Sequence, residues 1–180
     1  PVAGAGYYYR RYRAETFNLS SLLIKVTPAE LKAAGTQATL EPTFQIESFD
    51  GDWEKEWFTY RPEDWGRSTN KLYDDQFRAP PGARLALEVL AKEANKLVVQ
   101  IDQHAAEIPL TGGDQWQRIV LAPDALKDFA GEALPSWKDV KQLTLTGATR
   151  LRSSNDPNES RVIGGNWRGV APSFRNLRWV

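Results

Sequence analysis

Apolar and polar residues alternate with a period of two over several short stretches of this chain, the signature of half-buried strands. The sharpest is RLALEV at 84–89, which puts Leu85, Leu87 and Val89 on one face. KLVVQID at 96–102 does the same with Leu97, Val99 and Ile101. The segment between them, Ala91 to Asn95, is short enough to join the two strands as a hairpin. Further strands are expected at 17–26, at 116–121, at 141–146 with Leu143 and Leu145 inward, and at 174–180. Residues 36–48 read as extended and Thr-rich.

Helical signals are few. Thr27-Pro28-Ala29-Glu30 is a helix start, with Thr as N-cap, Pro at the first helical position and Glu at the third, and Gly35 stops it. Residues 124–139 predict a second short helix and a loop broken by Gly131 and Pro135. Residues 152–166 read as a polar, mobile loop.

Short strands separated by Gly, Pro, Asn and Asp loops predict an all-β fold, an antiparallel β-sandwich with one or two short helices. No regular alternation of strands with long helices is present, which argues against a parallel α/β sheet. The 180 residues fit one domain and show no internal repeat. We expect a linker or tail over 1–16 and a single sandwich over 17–180.

Composition then narrows the chemistry. The 23 Lys and Arg balance the 23 Asp and Glu, which argues against a general nucleic-acid binder. Six Arg against two acids fall in 150–180, a local positive excess. Tyr7, Tyr8, Tyr9 and Tyr12 mix with Arg10, Arg11 and Arg13. That cluster suits nucleic-acid stacking, or, as we prefer, an edge strand or leader packed on its own domain. The chain has no Cys and one His, which excludes disulfides, Cys nucleophiles and a multi-His zinc site. No apolar run reaches the roughly 18 residues of a membrane span. The chain opens at Pro1 and lacks Met, so we expect a piece of a longer protein.

No phosphate-binding glycine motif and no nucleophile elbow occur. His104 is read as a loop residue, incidental to chemistry. Glu47, Asp50 and Asp52 in IESFDGD suit Ca²⁺, which takes six to eight oxygens; the alternative is an Asp-Gly turn. Aromatic residues are the clearest excess, with seven Trp, six Tyr and seven Phe. Trp116, Trp137 and Trp179 are expected in the core. Trp53, Trp57, Tyr60, Trp65 and Tyr73 lie among charges such as Arg61, in a segment poor in aliphatics. Trp167 sits in a Gly-flanked loop between Asn166 and Arg168. Together these nine residues are the candidate ligand site. A pyranose stacks its C–H face on Trp or Tyr, and its hydroxyls take amide, carboxylate and guanidinium partners.

Four stretches resemble one family. They are FQIESFDGDW; ARLALEVLAKEANKLVVQID; QWQRIVLAPDALKDF followed by LPSWKDVKQLTLTG; and the closing APSFRNLRWV. Over residues 40–180 the chain resembles carbohydrate-binding modules with a galactose-binding-like β-sandwich (jelly-roll) fold, which accompany polysaccharide-degrading enzymes. The resemblance implies a structural Ca²⁺ between entry and closing strands, with Glu47, Asp50 and Asp52 on the entry side. On the closing side Arg175 stands where the family has Asp, and an internal salt bridge could replace the ion. It also implies a non-catalytic module that holds a parent glycoside hydrolase or lyase on a polysaccharide or oligosaccharide. The partners would be that glycan and the catalytic domain, with neither nucleic acid nor a membrane span involved. The location would be secreted, extracellular or periplasmic. The alternatives are a protein-interaction or structural sandwich domain, and a small jelly-roll lyase using residues such as His104, Tyr60, Tyr73, Arg61 and Lys71.

Overall fold

A computed structural model describes residues 44–180, apart from Asp52 and the side chain of Trp53. The expected tail 1–16, the strand at 17–26, the helix after Thr27 and most of the extended stretch 36–48 lie outside the described residues.

Eleven strands form among the described residues. They are β1 (Phe44–Glu47), β2 (Thr59–Tyr60), β3 (Arg67–Thr69), β4 (Leu85–Ala91), β5 (Asn95–Ile101), β6 (His104–Leu110), β7 (Gln115–Leu121), β8 (Leu143–Thr146), β9 (Ala148–Arg152), β10 (Ser160–Gly164) and β11 (Ser173–Trp179). One sheet has the order β1-β11-β4-β7 and a second the order β2-β3-β8-β5-β6. All pairings are antiparallel. Leu85, Leu87 and Val89 of the first sheet join Leu97, Val99, Ile101, Leu143 and Leu145 of the second in one buried cluster. The fold is an all-β antiparallel sandwich, as the alternation predicts.

The expected β4–β5 hairpin is not formed. β4 pairs with β11 and β7, whereas β5 pairs with β6 and β8, so residues 92–94 arch from one sheet to the other. Both strands need their Leu and Val faces in one core, and an arch turns those faces towards each other across the sandwich. The true hairpin is β5–β6, closed by Asp102-Gln103, with Asp102 at φ 49. The Asp102 carboxylate also accepts the Lys141 and Gln142 N–H groups at 3.1 and 2.9 Å.

A third layer covers the outer face of the five-stranded sheet. β9 and β10 pair as a hairpin, with β10 inside the stretch 152–166 that the sequence reads as a polar loop. Val98 of β5, Ala105 of β6 and Leu151 of β9 make a second small core under it. β5 is therefore buried on both faces, which accounts for its unbroken Leu97-Val98-Val99 run. Close approach demands glycine at 164: at φ 74, an added Cβ would strike the Gly147 carbonyl oxygen and Val98.

Helix is limited to three-residue 3-10 turns among the described residues, at Trp53–Lys55, Asp75–Phe77 and Pro123–Ala125. The helix expected within 124–139 is instead an irregular loop. Leu126 and Leu134 anchor it, and the Leu134 N–H donates to the Leu126 carbonyl at 3.0 Å. Gly131 at φ 91 and Pro135 prevent a helical turn there.

Candidate functional site

The charged segment 53–73 sends Trp57, Phe58, Trp65 and Leu72 into the core. Trp57 is 7% exposed and donates from Nε1 to Asp74 at 2.9 Å. Trp65 is equally buried and stands 4.5 Å, centroid to centroid, from Trp167. Rings then follow one another through the sandwich: Trp167, Trp65, Phe174, Phe49, Phe58, Trp57, Phe77, Trp179 and Trp137. Successive centroids lie 4.5–6.0 Å apart. A segment short of aliphatic residues fills its core with rings instead, and offset or tilted ring pairs are the favourable geometry.

The charges around those rings are paired. Arg67 donates from Nε to Glu56 at 3.0 Å, and both side chains are largely buried. Its guanidinium lies 4.7 Å from the Tyr60 ring centroid and 5.0 Å from that of Phe174. Arg61 pairs with Asp64 at 3.0 Å at the surface. Tyr60 is half-buried against the core.

The remaining candidates divide between the two ends of the sandwich. Trp65 precedes β3 and Tyr73 follows it, so they lie beyond opposite ends of that strand. Trp167 stays with Trp65, half-buried, its Nε1 donating to the Val170 carbonyl at 3.0 Å. Arg168 is exposed, and Asn95 holds it by its backbone, donating to its carbonyl and accepting from its N–H, both at 2.8 Å. Asn166, at φ 55, is exposed and lines a shallow depression of about 610 Å³ with Arg168 and Lys96. At the other end Tyr73 is 81% exposed. Trp53 starts a 3-10 turn.

Tyr73 stands in the larger concavity, a groove of about 1030 Å³. Trp137 is in its floor, fixed by an Nε1 bond to the Ala83 carbonyl at 2.9 Å. Arg78, Arg84, Lys138 and Lys141 line it, against Asp74 and Asp139. Four cations face two acids in this lining, and Arg78 also pairs with Asp75 at 2.9 Å, which leaves a small net positive charge. Asn70, Pro80 and Pro81 also line it. Apart from Tyr73, none of these was among the sequence candidates; only the clustering of Pro80-Pro81-Gly82 and Pro135 into loops hinted at this end.

The acidic loop after β1 is organised around Glu47. Its buried carboxylate accepts the Phe49 N–H at 3.1 Å and the Trp57 N–H at 2.6 Å. Asp50 is exposed, and Asp52 lies outside the described residues. Among the described residues no three His, Asp or Glu side chains converge as metal ligands. Glu47 and Asp50 alone do not supply the six to eight oxygens of a Ca²⁺ cage. Arg175 does form an internal salt bridge, but with Glu88 of the neighbouring strand β4, at 2.6 Å.

His104 opens β6 opposite Ile101 rather than sitting in a loop. It and Tyr60 occupy opposite edge strands of the five-stranded sheet, about 19 Å apart at roughly 4.8 Å per strand. Tyr60 and Arg61 are thus not brought together with His104.

Trp116, expected in the core, is 36% exposed. β7 alternates strictly, with Ile119 and Leu121 buried and Trp116, Arg118 and Val120 facing out. The parity of QWQRIVL carries that signal, because Trp116 lies an odd number of residues from both inward anchors. The Arg175 guanidinium sits 4.1 Å from the Trp116 ring centroid. Burial alone would raise the pKa of Glu88, but hydrogen bonds from Arg175 and Asn176 and the charges of Arg175 and Arg178 outweigh it. The carboxyl is held below its ordinary value.

No protein-family model matches the chain, and neither a curated protein nor a solved structure matches it. Among the described residues no helix is long and apolar enough to cross a membrane.

Proposed function

We propose that this chain is a non-catalytic glycan-binding module, and that its sugar site is the groove at Tyr73. The observation that carries the reading is a tyrosine ring 81% exposed in a concave groove whose cations Arg84, Lys138 and Lys141 make no ion pair among the described residues, with Arg78 paired to Asp75. Tyr73 would stack on the C–H face of one sugar ring. Asn70, Arg78, Arg84, Lys138 and Lys141 would donate to hydroxyl or acidic substituents. A single open site of this kind binds weakly, and repeated units of a polymer raise its avidity. Such a module serves as the anchor of a parent glycoside hydrolase or lyase outside the cell or in the periplasm. Calcium enters only as a structural accessory of the loop after β1; a rise in melting temperature with Ca²⁺, reversed by EDTA, is its test.

The site is tested by affinity electrophoresis through gels holding xylan, galactan, polygalacturonate or dextran sulfate. We expect at least one polymer to retard the protein, and Tyr73→Ala to weaken binding by roughly tenfold. That substitution is at an exposed position, where stability changes stay within about 0.5 kcal/mol. Trp167→Ala, at the opposite end, leaves binding in place. Equal retardation of Tyr73→Ala and the parent chain contradicts the site. Retardation by no polymer contradicts the function and favours a protein-interaction domain.

A further inference from the structure

The outer face of the four-stranded sheet is a second charged surface, adjoining the groove at one margin. Three rows cross its strands. Ser173, Leu90 and Trp116 form one row; Arg175, Glu88 and Arg118 the next; Arg178, Ala86 and Val120 the third. Arg175 and Arg178 are three residues apart, an odd spacing that in a regular strand puts side chains on opposite faces. A bulge between them, with Asn176 at φ 56, restores the parity, so Phe174, Leu177 and Trp179 face the core while both arginines face out. The bulge therefore gathers three arginines on one face.

Two of those arginines, Arg118 and Arg178, are not neutralised by an ion pair. The single acid in the rows, Glu88, is committed to Arg175 and Asn176. Arg118 is exposed, and among the described residues neither Arg118 nor Arg178 makes an ion pair. The Arg175 bond uses Nε, so the terminal amino groups carry donors that this bond does not consume. Trp116 and Val120 add exposed apolar area beside them. The lower margin of the face meets the groove: β4 begins one residue after groove-lining Arg84, and β7 ends one residue before groove-lining Ala122.

We infer that this face binds an acidic polysaccharide, with Arg118 and Arg178 pairing its carboxylates or sulfates and Arg175, held by Glu88 over the Trp116 ring, offering its remaining terminal N–H donors beside them. Forked guanidinium donors match planar carboxylate and sulfate oxygens, and the excess of positive charge selects a polyanion over a neutral chain. The inference rests on the glycan reading and adds to it the charge class of the polymer and a second contact surface.

The test is calorimetric titration of the whole chain with dextran sulfate, polygalacturonate and neutral dextran. Arg118→Gln/Arg178→Gln, Trp116→Ala and Tyr73→Ala are measured alongside. Arg118, Trp116 and Tyr73 are exposed and Arg178 is half-exposed, and circular dichroism checks that each variant folds. We expect an acidic polymer to bind more tightly than dextran, and the double Arg variant to lose roughly tenfold in affinity for it. We also expect the advantage over dextran to shrink as salt shortens the screening length from about 10 Å at 0.1 M towards about 3 Å at 1 M. An acidic polymer that binds the double variant as it binds the parent chain overturns the inference. So does loss only in Tyr73→Ala, which leaves the groove reading standing. Binding of none of the polymers overturns both.

Discussion

Arg67 is an enclosed cation of the sandwich, and it shows how single residues govern the segment 53–73. Its partner Glu56 is more deeply buried still, and aromatic rings flank the guanidinium. Removing one member of such a pair strands the other charge, so Arg67→Ala is expected to cost about 3–5 kcal/mol in urea unfolding. Arg61→Ala breaks a pair with both side chains near half-exposed, and the expected change is under about 1 kcal/mol. Glu47→Ala leaves the Trp57 and Phe49 N–H groups without the carboxylate, a loss of about 1–3 kcal/mol. The chemistry of Glu47 was legible as an acid at a strand end, but its role was not. Whether a carboxylate faces an ion or two backbone N–H groups depends on how residues 48–57 fold back, which spacing does not encode. Tyr73 and Trp57 have similar local sequence surroundings. They differ because Phe77 and Asp74 cover one ring and nothing described covers the other.

Elements with strong alternation were read to within a residue or two: β4, β5, β7 and β11 all coincide with expected strands. Short or weakly patterned ones were not. β6 carries Pro109, tolerated because β6 is an edge strand. β9 and β10 carry three Arg in ten residues because only one side of their hairpin meets the second core. Pairing partners were the larger loss, since an arch and a hairpin have the same length between β4 and β5. Leu151→Ala is expected to cost about 2–5 kcal/mol and to speed amide exchange throughout β9 and β10. Acid acts on the same hairpin. Glu107 accepts from Lys96 at 2.6 Å and from the Gly164 N–H at 2.8 Å. Chiefly the Lys96 bond, then the Gly164 bond, holds its pKa below the ordinary 4.5. A depressed carboxyl stabilises the fold fully above its unfolded value, and that stability fades as pH falls through the folded value. The protection of β10 amides, corrected for the intrinsic exchange rate, is therefore expected to fall below about pH 4.5, and Glu107→Gln to flatten that dependence.

At the scale of the whole sandwich, the ring ladder explains why the chain has so many Trp residues and why few of them are free. The excess read as a single ligand platform divides three ways: rings in the core, Trp167 at one end, and Tyr73 in the groove at the other. Trp116 was overlooked because a Trp beside apolar residues reads as core unless strand parity is followed through. The sandwich thus offers a cationic groove and, at its margin, an arginine face.

The central claim is that the groove around Tyr73 receives a sugar. Its most direct test is a two-dimensional NMR titration of the labelled chain with xylan, galactan and polygalacturonate oligosaccharides, following backbone amides and Trp indole N–H signals. The account predicts that one oligosaccharide shifts residues 70–84 and 136–141 and the Trp137 indole, leaving the hairpin at 148–164 unmoved. Shifts confined to the opposite end around 164–169, or none with any of the three, would contradict it.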